Sequence, residues 1–244
     1  MKLTDNTILI TGGSSGIGLA ILKSFYQLGN KIIIVARDID KLKEVQIQFP
    51  EIAIFQCDLT NQTDIDGLIV FIEQNYSNLN MLFNNAAIQY NYDFLTEQNI
   101  VNKIDYEVSA NLTSTIKLCG LLLPVLLKNE NSAIVNVSSG LAISPKKSAP
   151  VYCASKAAIH NFTKAFRYQM EGINLKVFEI LPPIVETPMT EGRGKNKISP
   201  EELVNEFMND FKKNKEESYI GKSKLLKFIN RILPKISDRI LKNG

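Results

Sequence analysis

From Thr7 to Leu181 the chain alternates short, almost continuously apolar runs with segments of helical periodicity. The runs are Thr7–Thr11, Lys31–Ala36, Ile52–Cys57, Asn80–Asn84, Ala133–Ser138 and Leu175–Leu181. A strand that is apolar on both faces must be covered on both, as happens when helices pack above and below a parallel sheet. Gly16–Leu28, Lys41–Phe49, Thr63–Tyr76, Gln98–Leu127 and Val151–Gln169 supply those helices. Strict β–α alternation implies right-handed crossovers. The expectation is an α/β fold, a Rossmann-type doubly wound parallel sheet of six to seven strands with helices on both faces. No repeat or low-complexity linker divides residues 1–244, so one domain is expected.

After Leu181 the pattern changes. Pro182, Pro183 and Pro188 break regular structure, and polar Thr190–Lys197 reads as part of a lid over about 184–198. Ser199-Pro200-Glu201-Glu202 reads as an N-cap, a proline at the first helical position and acids in the first turn. It opens a helical extension over about 199–244, in which Pro234 divides an apolar stripe from Leu225 to Ile240.

The stretch Thr11-Gly12-Gly13-Ser14-Ser15-Gly16-Ile17-Gly18 sits between the first strand and the first helix. Glycine permits a tight turn and close approach of backbone N–H groups to a pyrophosphate, and a helix N-terminus favours the anion. The same stretch spells G-x-S-x-G, a possible nucleophile elbow. The context opposes it: six residues precede the strand, too few for an earlier oxyanion loop, and the sole histidine, His160, lies inside a helix. About twenty residues past the loop, where an adenosine ribose would lie, stand Ala36-Arg37-Asp38. Alanine at the strand end followed by arginine, a bidentate phosphate ligand, favours NADP(H) over NAD(H), which stays open. The bland alternative is a solvated arginine at a helix start.

Tyr152 and Lys156 are one helical turn apart, and Ser139 ends the fifth strand thirteen residues before Tyr152. A phenol with a pKa near 10 is a poor acid at neutral pH, and lowering it by ~2–3 units takes ~3–4 kcal/mol, within reach of a nearby ammonium and an oxidised nicotinamide.

With these motifs in order, the chain resembles the short-chain dehydrogenase/reductase family. The resemblance covers about residues 5–190 and rests on TGGSSGIG (11–18), Asp58, NNAA (84–87), Asn111, NVSS (136–139), YCASK (152–156) and PPIVET (182–187). It implies Tyr152 as general acid or base, Lys156 lowering its pKa and holding the nicotinamide ribose, Ser139 orienting the substrate oxygen, and Asn111 holding a relay water. It further implies that Gly12, Ser14, Ser15, Gly16, Ile17 and Gly18 cradle the phosphates and that Asp58 and Leu59 flank the adenine. Asn85 and Ala86 would support the cofactor, with Pro182, Ile184 and Thr187 at the carboxamide end. Ala87 stands where the family has glycine, and Pro183 replaces the glycine before the lid, which predicts a different loop path over the nicotinamide. The double proline, with SPEELVNEF and the SYIGKSKLLKFINRILP tail, looks like the DltE-like branch associated with bacterial D-alanylation gene clusters. The implied substrate is a small carbonyl compound or alcohol. A homodimer is implied across the helices Gln98–Leu127 and Val151–Gln169, and the C-terminal strand that extends the family to tetramers is not recognisable.

Other features carry bland expectations. His160 is expected to be structural, Cys153 to be buried in helix packing, and Tyr90 and Tyr92 either to line the substrate mouth or to be exposed loop residues. Three scattered cysteines, Cys57, Cys119 and Cys153, suggest neither disulfides nor a metal site and fit a cytoplasmic compartment. No signal-peptide core is legible, and the longest apolar stretch, Cys119–Leu127, falls short of the ~20 residues of a spanning helix. The net charge of +3 gives no nucleic-acid footprint. Seven basic residues and Asp238 give residues 222–244 a charge of +6, so the tail is read as a cap over the cleft in preference to a membrane-surface anchor. A non-catalytic cofactor-binding or membrane-peripheral protein of the D-alanylation context is the alternative to an enzyme.

Overall fold

The computed structural model describes residues 1–242; the last two residues assigned to the domain and its C-terminal extension lie outside the described residues. Seven parallel strands form one sheet in the order β3-β2-β1-β4-β5-β6-β7. They are β1 (Thr7–Thr11), β2 (Lys31–Ala36), β3 (Ala53–Gln56), β4 (Met81–Asn84), β5 (Ser132–Val137), β6 (Leu175–Leu181) and β7 (Glu217–Tyr219). This is the expected doubly wound Rossmann-type sheet. The order reverses between β1 and β4, and ligands of such sheets bind at the carboxyl ends beside that switch point.

Consecutive strand residues serve opposite layers. Ile8 and Ile10 of β1 join a core with α1 (Gly16–Tyr26), α2 (Ile39–Gln48) and α7 (Pro200–Lys212), whereas Leu9 joins one with α3 (Gln62–Asn75), α5 (Ser114–Leu126) and α6 (Pro150–Gln169). Aromatic rings knit the first layer: Phe178 lies 4.6 Å from Phe211, and Phe25 lies 5.5 Å from Phe83, centroid to centroid. Helix starts follow their caps. Asp38 accepts from the backbone N–H groups of Asp40 and Lys41, both at 3.1 Å, so α2 begins at Ile39 rather than at Lys41. Ser199 and Glu202 close the capping box of α7 at 3.1 and 2.7 Å.

Three differences from the sequence reading matter. The seventh strand, β7, extends the sheet beyond β6; with three residues it has no readable alternation. The single helix expected over Gln98–Leu127 is α4 (Ile100–Val108) joined to α5 through one π-turn, Ser109–Thr113. Together they form a 27-residue helix long and apolar enough to span a membrane by composition, in contrast to the expected absence of such a segment. Its inner face, with Leu118, Leu122 and Val125, is packed into the second core layer. Gly120 and Pro124 do not break it; both lie on its exposed side.

The tail folds as α8 (Lys222–Ile232) and α9 (Pro234–Leu241), divided at Pro234 as expected. The lid is pinned at its ends by a bridge between Val185 and Ile198, with Glu186 donating to the Ile198 carbonyl at 2.9 Å.

Candidate active site

The carboxyl ends of β1, β2, β4 and β5 border a cleft of about 320 Å³. Gly12, Ser14, Ser15, Gly16 and Ile17 form its floor, Arg37, Asp58 and Leu59 one end, and Tyr152, Lys156, Pro182 and Thr187 the other, with Asn85 and Ala86 between. Gly12 has φ +65°, and a Cβ there would stand 3.0 Å from the Ala86 backbone. Gly18 does not line the cleft. It lets α1 approach β1 so closely that a Cβ would lie 2.2 Å from the Gly12 carbonyl oxygen. Asn85 braces the loop, its amide donating to the carbonyls of Thr11 (3.0 Å) and Gly12 (3.2 Å). Ser15, at the N-cap of α1, makes no capping hydrogen bond, and the first turn carries no acid, leaving the helix N-terminus electropositive toward the cleft.

These features fit a dinucleotide. The loop admits backbone at van der Waals distance, the helix end offers N–H donors, and the cleft reaches from β2 to Tyr152. The fit extends to residues the sequence reading missed. Lys41 and Tyr106 line the cleft beside Arg37, whose guanidinium bonds the Tyr106 hydroxyl and sits 5.6 Å from its ring centre. Lys41 was detectable as a second cation one turn past Arg37. Tyr106 gave no local signal, because it arrives from α4, across the sheet.

Tyr152, Lys156 and Ser139 come together, all at least nine-tenths buried. The Lys156 ammonium donates to the Val137 carbonyl at 2.8 Å, and burial lowers its pKa to about 8 against an upward pull from Glu179. Burial raises the Tyr152 phenol above its ordinary pKa, with the Ser139 side chain pulling it back. Ser138 and Ser139 separate by partner. The Ser138 hydroxyl bonds the Glu179 carboxylate, whereas the Ser139 oxygen accepts from Leu141 N–H at 3.1 Å and borders a second cavity. Asn111 sits in the π-turn, its amide pairing with both backbone groups of Ile88 at 2.8 and 2.9 Å. A π-turn is a local irregularity common at functional sites.

That second cavity, of about 480 Å³, adjoins the first at Tyr152 and is lined by Ile184, which does not line the cleft. Pro183 lines it too, and α8 and α9 form its outer wall through Leu225, Ile229 and Ile240. His160 borders neither cavity; its Nδ1 lies 2.8 Å from the Glu179 carboxylate. Burial holds the Cys153 thiol above its ordinary pKa, and its sulfur accepts from Lys146 N–H at 3.4 Å. Tyr92 is buried with its hydroxyl 3.4 Å from Glu107, and neither it nor Tyr90 reaches the second cavity.

A glycine-floored cleft at the switch point, meeting a buried tyrosine–lysine–serine group, defines a nucleotide-binding α/β oxidoreductase. The family model described as short chain dehydrogenase matches residues 6–198, and the chain belongs to that family. It falls in the DltE-like branch: it is 40% identical over 225 residues to the uncharacterized oxidoreductase DltE of Bacillus subtilis strain 168, covering 89% of this chain and 88% of that one. Among solved structures, a short chain dehydrogenase from Burkholderia cenocepacia J2315 in complex with NADP is similar with a TM-score of 0.88 at 22% identity, covering 100% of both chains. A short chain dehydrogenase/reductase from Burkholderia phymatum in complex with NAD gives 0.86 at 17% identity, covering 100% of this chain and 98% of that one.

Proposed function

We propose that this protein is an NADP(H)-preferring oxidoreductase that moves a hydride between the cofactor and a carbonyl compound or secondary alcohol. The observation that carries the reading is the meeting of Tyr152, Lys156 and Ser139 where the glycine-floored cleft opens into the second cavity. When bound, NADP(H) supplies or accepts the hydride. Tyr152 gives a proton to the carbonyl oxygen in reduction and takes it from the alcohol in oxidation. Ser139 donates a hydrogen bond to the same oxygen, Lys156 holds the ribose hydroxyls and the charge that favours phenolate, and Asn111 fixes a water leading protons out. Gly12, Ser14, Ser15, Gly16 and Ile17 bind the pyrophosphate, Asp58 and Leu59 the adenine, and Ala86, Pro182 and Thr187 border the nicotinamide end, whereas Ile184 faces the substrate side. Gly18 and Asn85 keep the loop in shape.

The NADP(H) preference rests on charge. Arg37 and Lys41 line the ribose end, and the Asp38 carboxylate there is engaged in capping α2. An NADP complex and an NAD complex among the structural relatives make both dinucleotides sensible to test. Exposed Ile116, Leu121 and Pro124 on α5, with Ala154 and Ala165 on α6, support a homodimer across these faces. Buried, unpaired Cys57, Cys119 and Cys153 support a cytoplasmic setting.

The test is NADPH consumption with a panel of carbonyl compounds, repeated on Tyr152→Phe. Turnover that the substitution abolishes supports the reading. Tight NADPH binding with no turnover across the panel favours a non-catalytic cofactor-binding protein.

A further inference from the structure

The second cavity has a largely apolar lining in which every charged side chain is basic. Leu225, Ile229 and Ile240 wall it, while Lys146, Arg193, Lys195 and Lys222 also line it and no aspartate or glutamate does. None of these four cations has a carboxylate within 4.0 Å among the described residues. Two of them converge. One terminal atom of the Gln89 carboxamide lies 3.0 Å from Lys146 Nζ, 3.2 Å from Arg193 Nη1 and 2.9 Å from Asn91 Oδ1; oriented to suit the two cations it is the oxygen, accepting from both. Both cations are half-buried, and the Arg193 guanidinium is anchored on the Met189 carbonyl, which fixes the lid segment that carries it. Burial, then the neighbouring guanidinium, pushes the Lys146 ammonium below its ordinary pKa. Like charges gathered over a neutral amide cost free energy that a shared anion returns. Arg193 is also close enough to act electrostatically on Tyr152.

We propose that the cavity takes an amphiphilic anion, a carbonyl compound or secondary alcohol whose apolar chain lies against α8 and α9 and whose carboxylate or phosphate is held by Lys146 and Arg193. The substrate class rests on the oxidoreductase reading of Tyr152, but the binding site does not. The chain of such a ligand runs along the wall from the oxygen-binding corner at Ser139 and Tyr152, and the lid contributes the charge that sets which chain end enters.

Calorimetry on the full chain, with ligands that lack a carbonyl to reduce, tests the site apart from the reaction. Octanoate is expected to bind at least ~tenfold more tightly than methyl octanoate, the scale of one charge-assisted hydrogen bond. It should also bind at least ~tenfold more tightly than butyrate, which lacks the apolar chain. Octyl phosphate against octanoate separates a phosphate preference from a carboxylate one. In the Lys146→Gln, Arg193→Gln double variant the acid-to-ester ratio should fall toward one. If that variant does not fold, the wild-type ratio should still shrink when salt is raised from 20 mM to 500 mM, conditions that shorten electrostatic reach several-fold. Equal binding of acid and ester, a ratio that survives the double substitution, or octanoate no tighter than butyrate overturns the proposal. Each of those results leaves the NADPH reaction standing, and a failed carbonyl panel leaves the binding data standing.

Discussion

The Lys156 ammonium lies 5.7 Å from the centre of the Tyr152 ring and is held at 2.8 Å by the Val137 carbonyl of β5. The lysine is therefore anchored to the sheet, with its ammonium near the ring face and its hydrogen bond spent on the β5 carbonyl. Burial drives the Tyr152 phenol toward its neutral form, so the proposed proton transfer calls for further positive charge in the site, as an oxidised nicotinamide would bring.

Replacing Tyr152 with phenylalanine removes the proton donor and little else, since the ring stays packed. We expect kcat to fall about 10²- to 10⁴-fold, the usual contribution of general acid–base catalysis, with the dissociation constant for NADPH changed less than ~threefold. Steady-state rates beside a fluorescence titration of NADPH separate the two. A variant that retains a tenth of the wild-type kcat would remove Tyr152 from the proton path.

The proposed NADP(H) preference turns on Arg37, which follows β2, and Lys41 in the first turn of α2. Arg37→Leu with Lys41→Leu should weaken NADPH binding ~tenfold or more and leave NADH binding within ~twofold, because only the 2′-phosphate contact is lost. Parallel titrations of the two dinucleotides measure this, and equal losses for both would place these side chains on a shared part of the cofactor.

Where sequence reading succeeded, the signal was local and repeated. β1, β2 and β6 end at the residues their apolar runs mark, and Ser199-Pro200 starts α7 with its capping box closed. Where it failed, the information lay across the fold. β7 is three residues whose place is set by pairing with Glu179–Leu181, and the π-turn that carries Asn111 coincides with its pairing to the Ile88 backbone, a contact between distant parts of the chain. The two active-site cavities are likewise products of assembly: Tyr106 reaches Arg37 from α4, and Gln89 gathers Lys146 and Arg193 from separate loops. Glu179 was the exception that left a trace, as an acid in the apolar run that follows Lys176 in β6.

Glu179 makes a pH-dependent contribution to stability through His160. Its carboxylate lies 2.8 Å from His160 Nδ1 and is almost fully buried, while Glu217 of β7 adds attraction and Lys164 of α6 opposes it. Chiefly through the Glu179 hydrogen bond, the imidazole pKa is raised above its ordinary value of 6.5 in the folded protein. The folded state thus binds this proton more tightly than the unfolded chain does. The stabilisation is complete below the unfolded pKa and disappears as pH rises through the folded one. His160→Gln keeps a donor but cannot titrate. Its deficit against wild type in urea unfolding should be about 1 kcal/mol larger at pH 6 than at pH 9. A deficit independent of pH would mean that the imidazole titrates alike in the folded and unfolded protein.

Two helical glycines separate helix propensity from close packing. Replacing glycine with alanine in a helix interior is favourable by about 1 kcal/mol when nothing else changes. At exposed Gly67 of α3 a new Cβ would meet only the Phe55 ring tip at 3.8 Å, an ordinary contact, so Gly67→Ala should raise the melting temperature. At Gly18 of α1 the same methyl would stand 2.2 Å from the Gly12 carbonyl oxygen and 2.6 Å from the Asn85 amide nitrogen. The first of these is backbone and the second is the brace of the glycine loop, so neither yields without moving the cofactor cradle. Overpacking of this kind costs about 1–3 kcal/mol, enough to reverse the propensity gain. Gly18→Ala should lower the melting temperature and weaken NADPH binding together, whereas Gly67→Ala should leave binding alone. Thermal melts of both variants with and without NADPH measure the contrast. If Gly18→Ala melts at or above wild type and still gains the same stabilisation from NADPH, α1 is not held against β1 as closely as the cradle requires.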